Sequence, residues 1–74
     1  MFERIRNLRE DKDLSQKNLA DMLSVAQTTY SDYELGKLNI PTTVLIKLAL
    51  FYKTSIDYLL ELTDDPKPYS RHQN

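Results

Sequence analysis

The sequence predicts an all-α fold, a single compact domain built from about five short helices. Apolar residues recur at three- and four-residue spacing through most of the chain, and no segment shows the strict alternation of a strand. The 74 residues suffice for one domain and no more. With one glycine and three prolines, little of the chain is expected in tight turns.

Two amphipathic helices open the chain. Apolar residues spaced i, i+3 predict the first helix over residues 2–12. Ser15 is a favourable N-cap, and we expect it to begin a second helix that runs from Gln16 to Leu23. Asn18 holds the third position of that helix, where a complete capping box has Glu or Gln. The box is therefore expected to be incomplete.

A third helix follows after a turn of about four residues. It is expected to run to about Leu35 and to end at Gly36, the only glycine, in a left-handed cap. Ala26 offers no side-chain cap at its start. Ser24, in the turn, fits there only with a negative φ or with some backbone strain. A short turn with the small Ala20 where the two helices would cross is typical of a helix-turn-helix.

Two further helices and a tail complete the chain. Pro41 and the threonines after it open a fourth helix that is apolar almost all round. Ser55 is expected to cap a fifth helix over residues 56–62. Residues 64–74 have two prolines, mixed charge and no apolar period. We therefore expect a flexible tail after a domain of residues 1–63.

Composition excludes several function classes. Ten basic and eleven acidic residues give a net charge of −1, so bulk charge does not indicate a nucleic-acid partner. Without cysteine there is no disulfide, thiolate zinc site or cysteine nucleophile. The only histidine, His72, lies in the tail, so neither an enzyme nor a metal or other cofactor site is expected. The chain shows no membrane-spanning apolar run and no signal peptide, which favours a cytoplasmic protein.

The outer side of the third helix offers short polar groups where soluble helices usually present Lys and Glu. Its first two turns carry Gln27, Thr28, Thr29, Ser31 and Asp32. In the DNA major groove, Gln can bond adenine, Thr can place its methyl against that of thymine, and Asp can accept from the cytosine amino group. A merely solvent-facing surface is the alternative, but the helix-turn-helix context favours DNA.

Several spaced motifs carry a family resemblance. They are RIRNLREDKDLSQKNLADMLSVAQTTYSDYELGK, then IP, LIKLA and TSIDYLL, and they cover about residues 2–62. The chain resembles the Cro and phage-repressor (Xre-type) helix-turn-helix family of DNA-binding transcription regulators. The resemblance implies a compact five-helix, lambda-repressor-like DNA-binding domain with the third helix as recognition helix. It also implies binding to double-stranded operator DNA as a homodimer. No small-molecule cofactor is evident in the sequence.

The resemblance implies roles for individual residues as well. Base reading falls to Gln27, Thr28 and Asp32. Arg9 and Glu34 match an ion pair between the first and third helices, which we expect to orient the recognition helix. Contacts with the DNA backbone are expected from a further set: Ser15, Gln16, Lys17, Thr29, Ser31 and Lys37.

A single domain is expected to bind DNA weakly. From Ser15 to Lys37 the only basic residues are Lys17 and Lys37, against three acidic ones. Because DNA affinity comes largely from phosphate neutralisation, we expect binding to depend on dimerisation. The expected mode of action is that of a repressor, which occupies an operator and excludes polymerase.

An apolar surface on the last two helices leaves a second function open. Leu50, Phe51, Tyr58 and Leu62 are predicted to form it. The surface can be a homodimer seam, a patch covered by the tail, or a docking site for another protein. In the last case the domain would be a protein–protein interaction module of the antitoxin or anti-repressor type.

Overall fold

The computed structural model describes residues 3–68, and within that range the fold is all-helical, as predicted. The five helices are α1 (Glu3–Asp11), α2 (Gln16–Leu23), α3 (Gln27–Leu35), α4 (Thr42–Tyr52) and α5 (Ile56–Leu59). The bounds predicted for the second helix are confirmed at both ends. No helix in this range is long and apolar enough to cross a lipid bilayer.

One hydrophobic core joins all five helices. α2 packs on α3, α4 packs on α5, and α1 contacts both α3 and α5. Ile5, Tyr30, Leu48 and Leu59 are fully buried in this core. Burying an aliphatic side chain completely contributes about 1.5–3 kcal/mol. The other core residues are Leu19, Ala20, Leu23, Tyr33, Val44, Ala49 and Tyr52.

Two serines cap helix N-termini through their side chains. Ser15 Oγ accepts a hydrogen bond from the backbone N–H of Asn18 at 3.0 Å, and Asn18 Oδ1 accepts one from the backbone N–H of Ser15 at 2.9 Å. The capping box is complete and the prediction of an incomplete box was wrong, because the Asn amide supplies the same carbonyl acceptor as Gln. Ser55 Oγ accepts from the N–H of Tyr58 at 3.0 Å, which confirms the predicted cap of α5. Ala26 provides no side-chain cap for α3, as predicted.

All five helices are followed by the same left-handed turn. Its central residues have φ between 56° and 77° and are Asp13, Ser24, Gly36, Lys53 and Glu61. The next residue donates its backbone N–H to the carbonyl five residues earlier. Val25 thus bonds to Ala20 at 3.0 Å, and Thr54 bonds to Ala49 at 2.9 Å. These bonds satisfy carbonyl groups that a helix end otherwise leaves without a partner.

Only one of these five turns uses glycine. Gly36, with φ of 77°, confirms the left-handed cap predicted for α3. Ser24 has φ of 60°, so it adopts the strained left-handed conformation and not the unstrained alternative with a negative φ. A Cβ in this region costs roughly 1–2 kcal/mol, because it approaches the following carbonyl oxygen. The turn between α2 and α3 therefore stores backbone strain.

The fifth helix is shorter than predicted. It ends at Leu59 instead of continuing to Leu62. Glu61 has φ of 63°, and the N–H of Leu62 bonds to the carbonyl of Asp57 at 2.8 Å. The prediction failed because this left-handed turn ends the helix inside an apolar segment that periodicity alone would continue.

The chain after α5 folds back onto the domain. The guanidinium of Arg4 lies 4.2 Å from the centre of the Tyr58 ring. Its Nη1 donates to the carbonyl oxygens of Thr63 at 2.7 Å and of Tyr58 at 3.2 Å. Thr54 Oγ1 donates to the carbonyl oxygen of Pro66 at 2.6 Å. The start of the predicted tail is thus fastened to the domain, and the flexibility of its remainder stays a prediction.

Candidate nucleic-acid interface

The α3 helix has a buried side and an exposed side. The buried residues are Tyr30, Tyr33 and Glu34. With 3.6 residues per turn, the opposite side carries Thr28, Asp32 and Leu35, at i, i+4 and i+7. Thr28 and Leu35 are exposed, and Asp32 is partly exposed. These three residues are called the outer stripe below.

The other predicted contacts of α3 lie around the outer stripe. Gln27 is the first residue of the helix and is exposed. Thr29 and Ser31 flank the stripe on its two sides, and both are partly buried. Every polar residue expected to read DNA from α3 therefore lies on or beside its solvent-facing surface.

The predicted backbone contacts outside α3 lie at the start of α2 and just after α3. Ser15, Lys17 and Lys37 are exposed. Lys17 Nζ pairs with Asp21 Oδ2 at 3.0 Å, one helical turn further along α2. Exposed ion pairs of this type are weak and easily screened, so Lys17 can exchange Asp21 for a phosphate at little cost.

Glu34 is the centre of a buried hydrogen-bond network. Its Oε2 accepts from Arg9 Nε at 2.8 Å and from the Tyr30 hydroxyl at 2.6 Å. Its Oε1 accepts from Gln16 Nε2 at 3.0 Å and from Arg9 Nη2 at 3.3 Å. Arg9 Nη1 also donates to the carbonyl oxygen of Leu14 at 2.8 Å. Glu34 is only 4% exposed, and each oxygen of its carboxylate accepts hydrogen bonds from two of these donors.

The network keeps its two charged members ionised. Burial alone would raise the pKa of Glu34, but hydrogen bonds from Arg9, Tyr30 and Gln16 outweigh it and lower the pKa below its ordinary 4.5. The hydrogen bond to Glu34 raises the pKa of Arg9 although burial opposes it. Burial, followed by the bond to Glu34, raises the pKa of Tyr30, whose hydroxyl therefore stays a donor.

The network also fixes the orientation of α3. Arg9 comes from α1, Gln16 is the first residue of α2, and Tyr30 and Glu34 belong to α3. The Arg9–Glu34 contact expected from the sequence is therefore present as part of a larger arrangement. Breaking a buried ion pair by removing one partner commonly costs about 3–5 kcal/mol. A rotation of α3 that separated these groups is strongly disfavoured, so the outer stripe keeps one direction relative to α2.

Gln16 has a partner that the sequence did not indicate. The family resemblance implies a phosphate contact for this side chain, whereas in the structure its Nε2 donates to Glu34. An amide nitrogen carries two N–H groups, so the phosphate contact is compatible with this bond and stays a prediction. Nothing in the sequence signals the bond, because the two residues are 18 positions apart and each has the type expected for another role.

The apolar surface predicted on α4 and α5 is partly open. Leu50 and Leu62 are 63% and 73% exposed, and Phe51 is exposed as well. Tyr58 is partly buried, with the guanidinium of Arg4 over its ring. Residues 63–68 leave Leu50 largely uncovered.

One cleft in the described part of the chain is smaller than an ordinary ligand site, and no metal-binding group is found there. The cleft of about 90 Å³ is lined by Glu3, Arg6, Gln16, Glu34 and Leu35. Ligand pockets are usually roughly 300–1,000 Å³. Among residues 3–68 no group of three His, Cys, Asp or Glu side chains is suited to hold a metal ion. His72 lies outside the described residues.

The chain matches a known protein family over most of its length. A family model described as helix-turn-helix covers residues 5–59, which include α2 to α5 and most of α1. The chain belongs to the Cro/C1-type helix-turn-helix family. The resemblance stated from the sequence motifs is thereby confirmed, and the family is one of transcriptional regulators.

Similar curated proteins carry regulator names. The uncharacterized HTH-type transcriptional regulator YobD of Bacillus subtilis is 38% identical over 72 residues, which are 97% of this chain and 64% of the relative. The SPbeta prophage-derived regulator YonR of the same organism is 36% identical, over 82% of this chain and 56% of the length of YonR. The cryptic phage CTXphi transcriptional repressor RstR of Vibrio cholerae is 37% identical, over 77% of this chain and 51% of the length of RstR. This helix-turn-helix chain thus spans between about half and two thirds of these relatives.

Proposed function

We propose that this helix-turn-helix chain is a sequence-specific, DNA-binding regulator of transcription, and that it represses by occupying an operator. One observation carries the proposal: α3 exposes a polar surface while its buried side is bonded to α1 and α2 through Glu34. A helix that reads the major groove needs both exposed polar groups and a fixed orientation. Regulator and repressor names among similar proteins support the same function.

In this function the residues of the proposed DNA interface divide into two groups. Gln27, Thr28 and Asp32 read base edges, since each carries a polar group matched to a base in the major groove. The remaining residues position the helix on the phosphate backbone, which requires charge or N–H and O–H donors rather than base specificity. They are Ser15, Gln16, Lys17, Thr29, Ser31 and Lys37.

Operator binding is proposed to require a homodimer. The net charge is −1, and only Lys17 and Lys37 contribute positive charge between Ser15 and Lys37. A single domain therefore neutralises few phosphates and gains little affinity from counterion release. Two domains on a two-fold operator double those contacts. The exposed side chains of Leu50, Phe51 and Leu62 supply the proposed dimer seam, with Tyr58 at its edge.

The same apolar surface supports a second candidate, a protein–protein interaction module of the antitoxin or anti-repressor type. Family membership favours the regulator. Leu50→Asp separates the two: a dimer seam loses self-association and operator binding together, whereas a docking site for another protein loses neither. The proposed regulator is not an enzyme, and it acts in the cytoplasm, where the chromosome is accessible.

The deciding experiment is selection of bound fragments from a random double-stranded DNA library at low salt. An enriched inverted repeat with half-sites about one helical turn apart would support a dimeric sequence reader. The control is Thr28→Ala with Asp32→Ala in one chain, which removes two base-reading groups on the exposed side of α3. It should remain folded and lose the enrichment. Failure of the well-folded parent chain to enrich any sequence would contradict the proposal.

A further inference from the structure

Arg6 is the one arginine of α1 whose side chain has no hydrogen-bond or ion-pair partner among residues 3–68. The other two arginines of this helix are engaged within the domain. Arg4 is bonded to the chain after α5, and Arg9 is bonded to Glu34. Arg6 is exposed instead, so its charge is free to bind a negatively charged partner.

The helical repeat places Arg6 near Arg9 and away from Arg4. Successive residues of an α-helix are rotated by about 100°, so Arg6 lies about 200° from Arg4 but only about 60° from Arg9, one turn earlier. On this side of α1, Arg6 lines the cleft where α1, α2 and α3 meet. Gln16, the first residue of α2 and a proposed phosphate contact, lines the same cleft.

The cleft offers hydrogen-bond donors that suit a phosphate group. The guanidinium of Arg6 presents N–H groups in a fork that fits two phosphate oxygens. The amide of Gln16 has two N–H groups, and the bond to Glu34 uses one of them. Arg9 Nε lies 2.8 Å from the Glu34 carboxylate and offsets its negative charge. A phosphate that projects from a DNA strand needs only such a donor-lined recess, not a ligand pocket.

We propose that Arg6 binds one phosphate of the DNA backbone together with the amide of Gln16. The inference rests on the proposed function, since it requires the start of α2 to lie against the DNA backbone. Arg6 then adds a positive charge from α1 to an interface where Lys17 and Lys37 are the other cations, and where Lys17 is paired with Asp21. Each additional phosphate contact releases about 0.9 counterion and raises the affinity for all DNA sequences.

Methylphosphonate linkages test the contact at single phosphates, because each replaces one charged oxygen by a methyl group. The probe is the duplex that the full chain enriches from the random library, with each phosphate replaced in turn. At the contacted positions the parent chain should bind about five- to tenfold more weakly. Arg6→Ala should bind the unmodified duplex more weakly by a similar factor. It should lose sensitivity to the replacement at one position in each half-site and keep it at the others.

The salt dependence and a charge-reversed neighbour give independent readouts. Arg6→Ala should reduce the salt slope by about one on operator and unrelated DNA alike. Glu3 lines the same cleft with the opposite charge. Glu3→Gln should strengthen binding to both DNAs by about twofold at low salt, because it removes a repulsive carboxylate beside the phosphate.

Lys67→Ala is the matched control. It also removes one exposed positive charge, but Lys67 lies in the segment after α5 and is not among the residues that line the cleft. This variant should keep the sensitivity of the parent chain at every phosphate. Circular dichroism and melting temperature establish that all variants are folded, which their exposed positions favour.

Each outcome decides a different point. An enriched operator that Arg6→Ala binds with unchanged affinity and salt slope overturns the role of Arg6 and leaves the DNA-binding function standing. Equal sensitivity of the parent chain and Arg6→Ala at every phosphate also overturns it, because Arg6 then acts on no particular phosphate. No enriched sequence at all overturns both the inference and the proposed function.

Discussion

Gln16 Nε2 and Glu34 Oε1 are joined by a hydrogen bond of 3.0 Å. It connects the first residue of α2 to the last turn of α3. A surface side chain is thereby tied to a buried carboxylate. The bond joins α2 to α3, and Gln16 is also one of the proposed contacts of the DNA backbone.

Gln16→Ala should lower the free energy of unfolding by about 1.5–3 kcal/mol, the range for a hydrogen bond to a charged group. The reason is that Glu34 loses a donor in a buried position. Urea denaturation measures the effect. Lys17→Ala is the matched control, since its pair with Asp21 is exposed on the same helix and should contribute far less. Equal losses in the two variants would show that the bond to Glu34 adds nothing.

Glu34→Gln should lower the free energy of unfolding at neutral pH by about 3–5 kcal/mol, because Arg9 is left without its buried partner. The folded-state pKa of Glu34 lies below its ordinary 4.5. The carboxylate therefore contributes its full stabilisation above that value, and the contribution disappears as the pH falls through the folded-state pKa.

Unfolding free energies measured from pH 7 down to about pH 3 should thus fall more steeply in the parent chain than in Glu34→Gln. Glu10→Gln serves as the comparison, because it removes the exposed acidic neighbour of Arg9, 3.9 Å away. That variant should keep most of the acid-dependent loss. If the unfolding free energies of the parent chain and of Glu34→Gln fell in parallel with pH, groups other than Glu34 would cause the acid sensitivity.

Tyr52→Phe and Tyr30→Phe should differ in their effect on the stability of the domain. The hydroxyl of Tyr52 is buried without a hydrogen-bond partner among residues 3–68, and burial raises its pKa to about 12. Removing it should leave stability unchanged or increase it by about 1 kcal/mol. The hydroxyl of Tyr30 donates to Glu34 at 2.6 Å, so its removal should destabilise by about 1.5–3 kcal/mol. Thermal unfolding of both variants tests this, and a destabilised Tyr52→Phe would reveal a partner for that hydroxyl.

Ser24→Gly should raise the free energy of unfolding by about 0.5–1 kcal/mol. Glycine relieves the strain of the left-handed conformation, and part of that gain is offset by the larger entropy of the unfolded chain. Gly36→Ala is the reverse experiment and should destabilise by about 1 kcal/mol. Chemical denaturation of both variants suffices. A stability loss in Ser24→Gly would mean that the serine side chain stabilises the turn by more than its backbone strain costs.

Gln27→Ala and Lys37→Ala should separate base reading from phosphate contact. Gln27→Ala should weaken binding to the selected operator by about 1–3 kcal/mol and leave binding to unrelated DNA nearly unchanged. Lys37→Ala should weaken binding to all DNA and reduce the salt slope by about one. Titrations at several salt concentrations distinguish them. Equal losses by Gln27→Ala on both DNAs would exclude base reading, and an unchanged salt slope would exclude Lys37 from phosphate contact.

The helices themselves were predictable because local rules determine them. Apolar spacing and the Ser15 cap are sufficient for both ends of α2, and Gly36 is sufficient for the end of α3. The end of α5 was not predictable. Glu61 has no intrinsic preference for a left-handed conformation, and the bond from Leu62 to Asp57 that holds it there exists only in the folded turn.

The candidate site also has features that the sequence predicted and one contact that it did not. Residue types and helical spacing placed Gln27 and Thr28 on exposed positions of α3 before the structure was known. The contact between Gln16 and Glu34 depends on how three helices meet, which spacing within one helix does not encode.

Arg4 has a consequence for how the domain is made. Its bond to the carbonyl oxygen of Thr63 joins residues 59 positions apart, nearly the full length of the described chain. On a ribosome, α1 is synthesised first but cannot complete its contacts until the segment after α5 has emerged. Long-range contacts of this kind form late, since the entropy of closing the intervening loop opposes them. The nascent domain therefore reaches its final packing only after α5 and the residues beyond it have left the exit tunnel.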